Sequence, residues 1–399
     1  MSDLLPFSAA LDQLLAGVAA LPAEPVPVDR CAGRVLAEPL IARLTQPPFA
    51  AAAMDGYAIR WEDLRSPWRV VGESAAGHGW PGTLGAGQAV RIFTGAPVPA
   101  GADTIVVQEE VTRDGAVARL AREGPPGVGA HIRRAGQDFA GGEPLIAAGA
   151  RLAPAHLGLA AAAGHGELPV VRRPRVVLLA TGDELVPPGV VPGPGQIVSS
   201  NPAMLAALLR WAGAQVVDPG IIPDRVDALT AALQGPQADL IITIGGASVG
   251  DHDLVVPVLR SLGAGIDFWK VAIRPGKPLL AGRLGTARVL GLPGNPVSAF
   301  VTALLFAVPL ICRMAGRQHA LPMTRLPLAA PLPANGPRRD HLRARRVVGQ
   351  ADVFPRQDSA LLSLLASAQL LVIREAGAPA AAAGDLVDCI ALDMFHSVF

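Results

Sequence analysis

The stretch from Asp239 to Asp253 combines residue types that could hold an anion. Its continuous apolar run, Leu240 to Ile244, is typical of a strand buried on both faces. A short loop of glycine and serine follows, and such loops present free backbone N–H groups at the carboxyl end of a parallel strand. We therefore expect an oxyanion-binding loop here. Its candidate residues are Gly245, Gly246, Ser248 and Gly250.

Two carboxylates, Asp251 and Asp253, stand directly behind this loop. They would repel an anion unless a divalent cation lay between them and the anion. A second interpretation is that Asp253 only caps the helix predicted to begin at about Leu254. The stretch by itself leaves both interpretations open.

Further polar side chains follow the other predicted strands of the segment 169–314. The runs 175–180 and 289–292 indicate buried strands. Helices are predicted from Asn201, after the cap residues that precede it, and around 227–233. Alternating strands and helices predict a doubly wound α/β sheet, in which sites gather at the carboxyl ends of the strands. Helix caps alone would not bring so many polar residues to these ends, so we expect a site there. The residues are Asp183, Glu184, Asp224, Asp251, Asp253, Lys277 and Asn295.

A cationic segment, 268–278, is predicted to be a strand followed by a turn. Lys270 and Arg274 are four residues apart, an even spacing that places them on one face of an extended strand. Gly276 lets the chain turn so that Lys277 can point into the cleft. The alternative is that these charges cover a sheet edge and discourage aggregation.

The segment 45–139 alternates short strands with turns, which predicts a β-rich domain. Asp55 begins an Asp-Gly turn, and Thr94 lies in a Pro/Gly loop where its hydroxyl could hold an oxyanion. Arg133 and Asp138 share a short loop. Each feature also has a purely structural interpretation, namely a turn, a braced loop and a surface ion pair. The strands flanking the Thr94 loop are predicted at 90–93 and 104–108.

Helical spacing on both sides of this segment predicts one discontinuous domain, made of 1–44 and 140–168, into which 45–139 is inserted. Its first helix is predicted from Ser8, as the N-cap, towards Leu21, and a second helix around 157–160 is expected to pack on it. The α/β domain is predicted at 169–314 and a small β domain at 315–399.

Composition narrows the class of protein. The 399 residues are 51% hydrophobic and carry a formal net charge of +1, so large cores can form and no bulk attraction to nucleic acid or membrane is implied. The three cysteines are far apart, which argues against a disulfide framework or a zinc knuckle. No basic signal-peptide start is present, and the longest apolar run, 299–312, is shorter than the ~20 residues of a membrane span. We expect a cytoplasmic α/β protein in which that run is a buried helix kinked near Pro309.

Seven motifs, in order along nearly the whole chain, resemble those of the molybdopterin molybdenumtransferase family, the bacterial relatives of the C-terminal part of gephyrin. The motifs of the α/β segment resemble a molybdopterin-binding domain, and two more lie in the β-rich segment. Each motif is weak alone, but seven in order are specific. They are MDGYA at 54–58, FTGAPVP with GAD at 93–103, TGDEL at 181–185, Ser200-Asn201, GGASVG at 245–250, PGKP at 275–278 and LPGNP at 292–296.

The resemblance implies a transferase that takes adenylylated molybdopterin and molybdate and gives molybdenum cofactor and AMP, with a divalent cation such as Mg²⁺. It implies a homodimer in which the β-rich domain of one chain faces the α/β site of the other. It also implies contacts with the molybdopterin adenylyltransferase and with molybdoenzyme chaperones. The chemistry agrees, because breaking a pyrophosphate link requires a metal and cations around the developing charge.

The resemblance also assigns roles to residues, carried over motif by motif. The catalytic residues implied are Asp55, Thr94, Asp138, Glu184, Asp224, Asp253, Lys270 and Lys277. The substrate-binding residues implied are Arg133, Asp183, Ser200, Asn201, Gly245, Gly246, Ser248, Gly250, Arg274, Pro275, Gly276, Asn295, Arg343 and Ser359. The metal ligands implied are Glu184, Asp224 and Asp253.

The chain departs from the family pattern at several positions. Arg274 stands where relatives have lysine, and the two cations differ in geometry. The segment 315–399 matches least, and Gln357-Asp358-Ser359 only partly matches a Gln-Gly-Ser turn. The basic cluster around Arg343 is either a solvated strand face or a set of groups that reach substrate phosphate.

Two other functions are compatible with part of the pattern. One is a molybdopterin-binding scaffold without turnover, but binding an anion gains nothing from a set of carboxylates. The other is a nucleotide pyrophosphatase that shares only the α/β domain, but such an enzyme has no need of the motifs at 54–58 and 93–103.

Overall fold

The computed structural model describes residues 4–235, 237–245, 254–318 and 321–393. The chain forms two compact units, one from Pro25–Val170 and one from Met1–Glu24 together with Val171–Phe399. We call them the inserted unit and the main unit. The finer division into four domains stays a prediction.

A seven-stranded sheet forms the centre of the main unit, as the alternating strands and helices predicted. Its first four strands in spatial order are parallel, and each of the last two pairs antiparallel with the strand before it. The order is Gln215–Val217, Arg175–Thr181, Leu240–Ile244, Ala287–Leu292, Leu280–Leu284 and Gly265–Trp269, with Ile221–Ile222 also beside Arg175–Thr181. The short pair Leu185–Val186 and Ile197–Val198 lies outside this sheet.

Helices cover both faces of this sheet, and the strands explain why. Successive residues of Arg175–Thr181 alternate between two apolar cores: Val176 and Leu178 belong to one, Val177 and Leu179 to the other. Both faces are thus buried, which accounts for continuous apolar strands. The helices of the first core are Asn201–Trp211 and the one from Pro296 to Met314; those of the second are Val226–Gln234 and Val255–Ser261.

The N-terminal helix, Phe7–Leu15, belongs to the first core through Ala10 and Leu14. Its predicted limits were wrong at both ends. It begins before Ser8, with no side-chain cap, and it stops six residues short of Leu21 because Gly17 adopts a positive φ of 65°. Helix Pro154–Ala162, which we expected beside it, packs in a core of the inserted unit.

The long apolar helix of the main unit is buried, as predicted. It consists of Pro296–Thr302, a π-helical turn at Ala303–Ala307, and Val308–Met314. The π turn ends two residues before Pro309, whose ring and missing N–H disrupt regular α-helical hydrogen bonds. Within the described chain this helix alone is long and apolar enough to cross a membrane, but 89% of its most apolar window is buried inside the protein.

A small β domain ends the main unit, as predicted. Its strands run in the order Ile273–Arg274, Arg339–Val347, Leu370–Arg374, Leu386–Ala391 and Met323–Pro327, with Gln350–Val353 beside Arg339–Val347. The short helix Leu362–Ala366 precedes its third strand. The first of these strands comes from the cationic segment, so that segment joins two sheets of the main unit.

The inserted unit is rich in β-structure, as its short strands and turns predicted. Its main sheet has the order Thr104–Val107, Gly56–Ile59, Gln88–Ile92, Trp68–Ser74, Val117–Leu120 and Val111–Asp114. Short pairs join Ala51–Ala52 to Ile132–Arg133, Leu40–Ile41 to Pro144–Ile146, and Ala23–Pro27 to Glu167–Val171. Single 3₁₀ turns lie at Val28–Arg30, Trp61–Asp63 and Gln108–Glu110.

His341, in the C-terminal β domain, makes the stability of the main unit depend on pH. Its side chain is 1% exposed and packs edge-on near the Phe7 ring. Burial lowers the pKa of His341 to about 3, and the charge of Arg339 acts in the same direction. In the unfolded chain the pKa is about 6.5, so below that pH the unfolded state takes up a proton that the folded state does not. The contribution of neutral His341 to stability is complete well above pH 6.5 and is lost as the pH drops towards 3, with a slope that approaches about 1.4 kcal/mol per pH unit.

The test is urea denaturation of the wild type and of His341→Leu at pH 7.5, 6.5 and 5.5. Carboxylates titrate alike in both proteins, so their effect cancels in the difference between the two unfolding free energies. We expect that difference to move in favour of the variant by about 1.0 kcal/mol between pH 6.5 and 5.5. A difference that stays constant with pH would contradict this account of His341.

Candidate functional site

The carboxyl ends of the parallel strands surround a cleft of about 230 Å³, which we call the sheet-end cleft. Five predicted residues from four motifs line it, although the motifs are far apart in sequence. Apolar groups, including Ile197 and Val198, line its other side. The five are Glu184, Ser200, Asn201, Gly245 and Asn295.

Glycines at two adjacent strand ends allow the cleft to form. Gly182 has a φ of 149°, and a Cβ atom there would lie 2.5 Å from Glu184 Oε2. Gly245 has a φ of 85°, and its Cβ would lie 3.1 Å from the carbonyl oxygen of Thr181. A Cβ at Gly182 would displace the Glu184 carboxylate, and the positive φ at both positions favours glycine.

Two helices begin at the cleft. Asn201 starts one helix and Asn295 precedes another, and Asn201 Nδ2 donates a 2.6 Å hydrogen bond to the Gly294 carbonyl, which joins the two starts. Ser200 makes no side-chain capping bond to its helix, contrary to the cap expected from sequence. Two helix N-termini place partial positive charge here, which favours an anion, although Pro296 has no N–H and the Val297 N–H donates to the Ser359 carbonyl at 3.0 Å.

Carboxylates collect at the rim of the cleft. The backbone N–H of Asp224 donates a 3.0 Å hydrogen bond to Asp183 Oδ1. The pKa of the Asp224 carboxyl lies above its ordinary value, because neighbouring atoms remove part of its water and because Asp183 and Glu184 repel its charge. A cation bound here would relieve that repulsion.

The predicted metal ligands are only partly described. Among the described residues, no group of three His, Cys, Asp or Glu side chains is arranged to hold a metal ion. Glu184 and Asp224 are described, whereas Asp253 lies outside the described residues. The predicted loop residues Gly246, Ser248, Gly250 and Asp251 also lie outside them.

The cationic segment differs from its prediction. Its strand ends at Trp269, and Lys270 has a φ of 145°, so Lys270 and Arg274 do not share the face of one strand. Arg274 instead lies in the short strand that pairs with the C-terminal β domain. The even-spacing argument was wrong because the strand ends before Lys270, whose positive φ breaks the extended conformation.

The turn that carries Lys277 is held closely by the long apolar helix. Lys277 is exposed, and the preceding Gly276 has a φ of 104°. A Cβ at Gly276 would lie 2.4 Å from Thr302 Cγ2. The PGKP motif therefore requires glycine between Pro275 and Lys277.

Arg274 contributes to a second cavity, of about 450 Å³, which Asp340 and Arg374 also line. Its guanidinium pairs with Asp340, whose side chain is 4% exposed. Burial raises the pKa of the Asp340 carboxyl, and the charge of Arg274 opposes that shift. In this structure Arg274 thus neutralises a buried carboxylate, and its predicted contact with substrate stays a prediction.

The two residues carried over from the C-terminal segment have different positions. Ser359 reaches the sheet-end cleft, since its hydroxyl accepts a 2.9 Å hydrogen bond from Asn295 Nδ2. Arg343 is 1% exposed and donates to Gln357 Oε1 at 3.2 Å and to the Leu361 carbonyl at 3.3 Å. It supports the loop of Ser359 from inside the protein, so its predicted contact with substrate phosphate needs correction.

The inserted unit brings Asp55 and Thr94 together. The Thr94 backbone N–H and hydroxyl each donate a 2.7 Å hydrogen bond to Asp55 Oδ1. The pKa of Asp55 is lowered by the Thr94 N–H first, then by the Thr94 hydroxyl, with a further contribution from the charge of Arg91. The MDGYA and FTGAPVP motifs thus meet at one ionised carboxylate.

Arg133 and Asp138 line a cleft of about 520 Å³, together with Gly95, the residue after Thr94. Pairing of Arg133 with Ala51 places the arginine at this cleft. Sequence reasoning did not single out Arg91, which contacts the chain on both sides of the Asp55–Thr94 pair. The sequence feature that could have indicated Arg91 is its charge within an otherwise apolar predicted strand.

Comparison with known proteins gives the family. Three family profiles match in order: "MoeA N-terminal region (domain I and II)" at residues 5–164, "Probable molybdopterin binding domain" at 177–313, and "MoeA C-terminal region (domain IV)" at 325–392. A molybdopterin molybdenumtransferase of Synechococcus elongatus is 39% identical over 404 residues, which cover 96% of this chain and 99% of that protein. The chain belongs to the molybdopterin molybdenumtransferase family.

Two further comparisons, with other members of this family of transferases, support the assignment. The Haemophilus influenzae molybdopterin molybdenumtransferase is 39% identical over 298 residues, 73% of each chain. The solved structure of the molybdopterin biosynthesis MoeA protein from Pyrococcus horikosii has a TM-score of 0.84 at 28% identity and covers 98% of this chain and 99% of that one. The mixed α/β fold with a small C-terminal β domain is therefore the fold of this family.

Proposed function

We propose that this member of the molybdopterin molybdenumtransferase family inserts molybdate into adenylylated molybdopterin and releases molybdenum cofactor and AMP. The observation that carries the proposal is the sheet-end cleft, where two helix N-termini and a rim of carboxylates meet. A substrate with a pyrophosphate link suits this combination, because its oxygens need both N–H donors and a cation.

Mg²⁺ fits the carboxylates present, since it prefers hard oxygen ligands and since negative charge accumulates at Asp224. Glu184, Asp224 and Asp253 would hold it. Bound there, it would supply positive charge to the oxygens of the pyrophosphate link.

The other contacts with the substrates would be made by groups of the chain itself. The helix starts at Asn201 and Asn295 attract phosphate oxygens of the adenylylated substrate through the partial positive charge of their first turns. Lys277, exposed on its rigid turn, binds molybdate or the phosphate nearest to it as a point charge. The Ser359 hydroxyl, hydrogen-bonded to Asn295, orients that amide towards the cleft.

Four of the predicted residues lie in the inserted unit, which leads us to propose a homodimer. Asp55, Thr94, Arg133 and Asp138 of one protomer would complete the sheet-end cleft of its partner. Sedimentation at micromolar concentration is expected to give about twice the 40.9 kDa chain mass. A monomer with full activity would contradict the shared site.

Placement in the cell follows from the same proposal. We propose a cytoplasmic enzyme that receives adenylylated molybdopterin from the molybdopterin adenylyltransferase and passes its product to molybdoenzyme chaperones. Neither nucleic acid nor membrane is expected as a partner, in keeping with the net charge of +1.

The deciding experiment is incubation with adenylylated molybdopterin and Mg²⁺, with and without molybdate, while AMP release is measured. The transferase releases AMP rapidly only when molybdate is present. A nucleotide pyrophosphatase releases it equally without molybdate, and a binding scaffold releases none. Either of these two results would overturn the proposal.

A further inference from the structure

Arg91 contacts the chain on both sides of the Asp55–Thr94 pair. It lies on strand Gln88–Ile92 directly opposite Tyr57 on the neighbouring antiparallel strand. Its guanidinium carbon is 5.2 Å from the centre of the Tyr57 ring and 4.6 Å from that of the Phe93 ring. Both distances are within the range of a cation–π interaction. The guanidinium therefore packs between aromatic rings of two segments.

The same guanidinium also makes hydrogen bonds to these surroundings. Nη1 donates to the Gly56 carbonyl at 2.8 Å, and Nη2 donates to Gln108 Oε1 at 2.5 Å. The Gln108 backbone N–H in turn donates to the Asp55 carbonyl at 3.1 Å. One side chain thus fixes Gly56, which follows Asp55, and Phe93, which precedes Thr94.

The strand geometry leaves little freedom at this point. A Cβ atom on Gly56 would lie 2.0 Å from the carbonyl oxygen of Val106 on the adjacent strand. Glycine lets the two strands approach, and the Gly56 carbonyl is held by Arg91. The position of the Asp55 carboxylate therefore depends on a contact that the MDGYA motif does not itself contain.

We propose that Arg91 is a positioning residue for the reaction, which fixes the geometry of the Asp55–Thr94 pair without contacting substrate. The consequence for the reaction rests on the proposed function, in which that pair belongs to the substrate site. The planar guanidinium suits this role, because it can stack on rings and donate two directed hydrogen bonds at once, which a lysine cannot do.

The test distinguishes the positioning of the Asp55–Thr94 pair by Arg91 from the role of that pair in the reaction. Thr94 donates its amide hydrogen to the Asp55 carboxylate, so the amide resonance in threonine-labelled protein reports their geometry directly. In Arg91→Met we expect this resonance to shift and the pH midpoint of its titration by Asp55 to rise, because the charge of Arg91 helps to keep Asp55 ionised. Arg91→Lys keeps the charge but not the planar, two-donor geometry of the guanidinium. In this variant we expect the pH midpoint to stay near that of the wild type while the Thr94 amide resonance still shifts.

Turnover gives the second readout. We expect kcat to fall by about 10- to 100-fold in Arg91→Met, since small misplacements of catalytic groups have effects of this size, while KM changes less. The matched control is Arg119→Met, an exposed arginine on strand Val117–Leu120 of the same sheet, for which both readouts should equal the wild type.

An unshifted Thr94 resonance in both folded Arg91 variants would overturn the positioning role. A shifted resonance with unchanged kcat would overturn the effect on the reaction. Full activity of Asp55→Asn would show that the pair is not needed for turnover, and this would refute that part of the proposed site while leaving the resonance result to decide the positioning of Asp55 by Arg91.

Discussion

Replacing Glu184 with glutamine is expected to lower the rate of AMP release by at least about 100-fold, the size of effect found when one electrostatic contributor is lost. Glutamine has the same shape, so the neighbours of the side chain in the sheet-end cleft are kept while its charge is removed. Thermal stability is expected to stay the same or rise, because Glu184 repels the charge of Asp224 in the native state. If Glu184 were only a helix cap or a core residue, Glu184→Gln would keep the rate of AMP release and lose thermal stability.

The control for this variant is Glu123→Gln, which changes an exposed carboxylate of the inserted unit and should leave the rate unchanged. A second measurement is the titration of the Asp224 carboxyl by carbon NMR. Its pKa should fall towards the ordinary value in Glu184→Gln, since one source of repulsion is gone. A wild-type rate of AMP release in Glu184→Gln would remove this residue from catalysis.

Lys277→Ala is expected to weaken binding of molybdate or of adenylylated molybdopterin by about 10- to 150-fold, which corresponds to roughly 1.5–3 kcal/mol for a charge-assisted contact. The lysine is exposed on a turn whose backbone packs at Gly276 against Thr302, so the point from which its side chain extends is fixed. The measurement is calorimetric titration with each ligand at one fixed, low salt concentration, where screening is weak. Folding should be intact, because an exposed side chain is removed.

A direct structural readout is available because Lys270 and Lys277 are the only two lysines in the sequence. Reductive methylation with labelled carbon therefore gives two side-chain signals, and we expect molybdate or ligand to shift the signal that Lys277→Ala eliminates. Arg260→Ala, an exposed cation in the last turn of Val255–Ser261, is the control and should bind as the wild type does. If Lys277 only covers a sheet edge, Lys277→Ala will be less soluble and will keep both affinities and its turnover.

The limits of an element could be predicted from local sequence where a single pattern of apolar residues dominated. Strand Leu240–Ile244 has the predicted limits, because a continuous apolar run can be buried on both faces. The N-terminal helix was less predictable, since its end depends on the conformation of Gly17 and not on apolar spacing. The strand through Lys270 and Arg274 failed for a different reason: part of the segment pairs with the C-terminal β domain, and such a partner is not encoded in the segment itself.

In the candidate site, too, some residues could be predicted from sequence and others could not. Glu184, Asn201 and Asn295 were found because motifs at the ends of parallel strands must meet at one edge of the sheet. The contact of Asn295 with Ser359 joins residues 64 positions apart in sequence, and only the tertiary structure reveals it. Arg343 looked like a phosphate ligand by its charge, but burial decided its role. Arg91 became visible only once strand register placed it opposite Tyr57.

The packing of the N-terminal helix has a consequence for protein synthesis. Helix Phe7–Leu15 packs in the same core as Val308–Met314, so about 300 residues leave the ribosome between the helix and its partner. At about 5–20 residues per second the helix waits roughly 15–60 s, with the apolar groups of Ala10 and Leu14 uncovered. During that interval the inserted unit, Pro25–Val170, is complete and free to fold around its own cores. The order of synthesis therefore makes the inserted unit the first to mature, and the main unit closes only when its last strands have emerged.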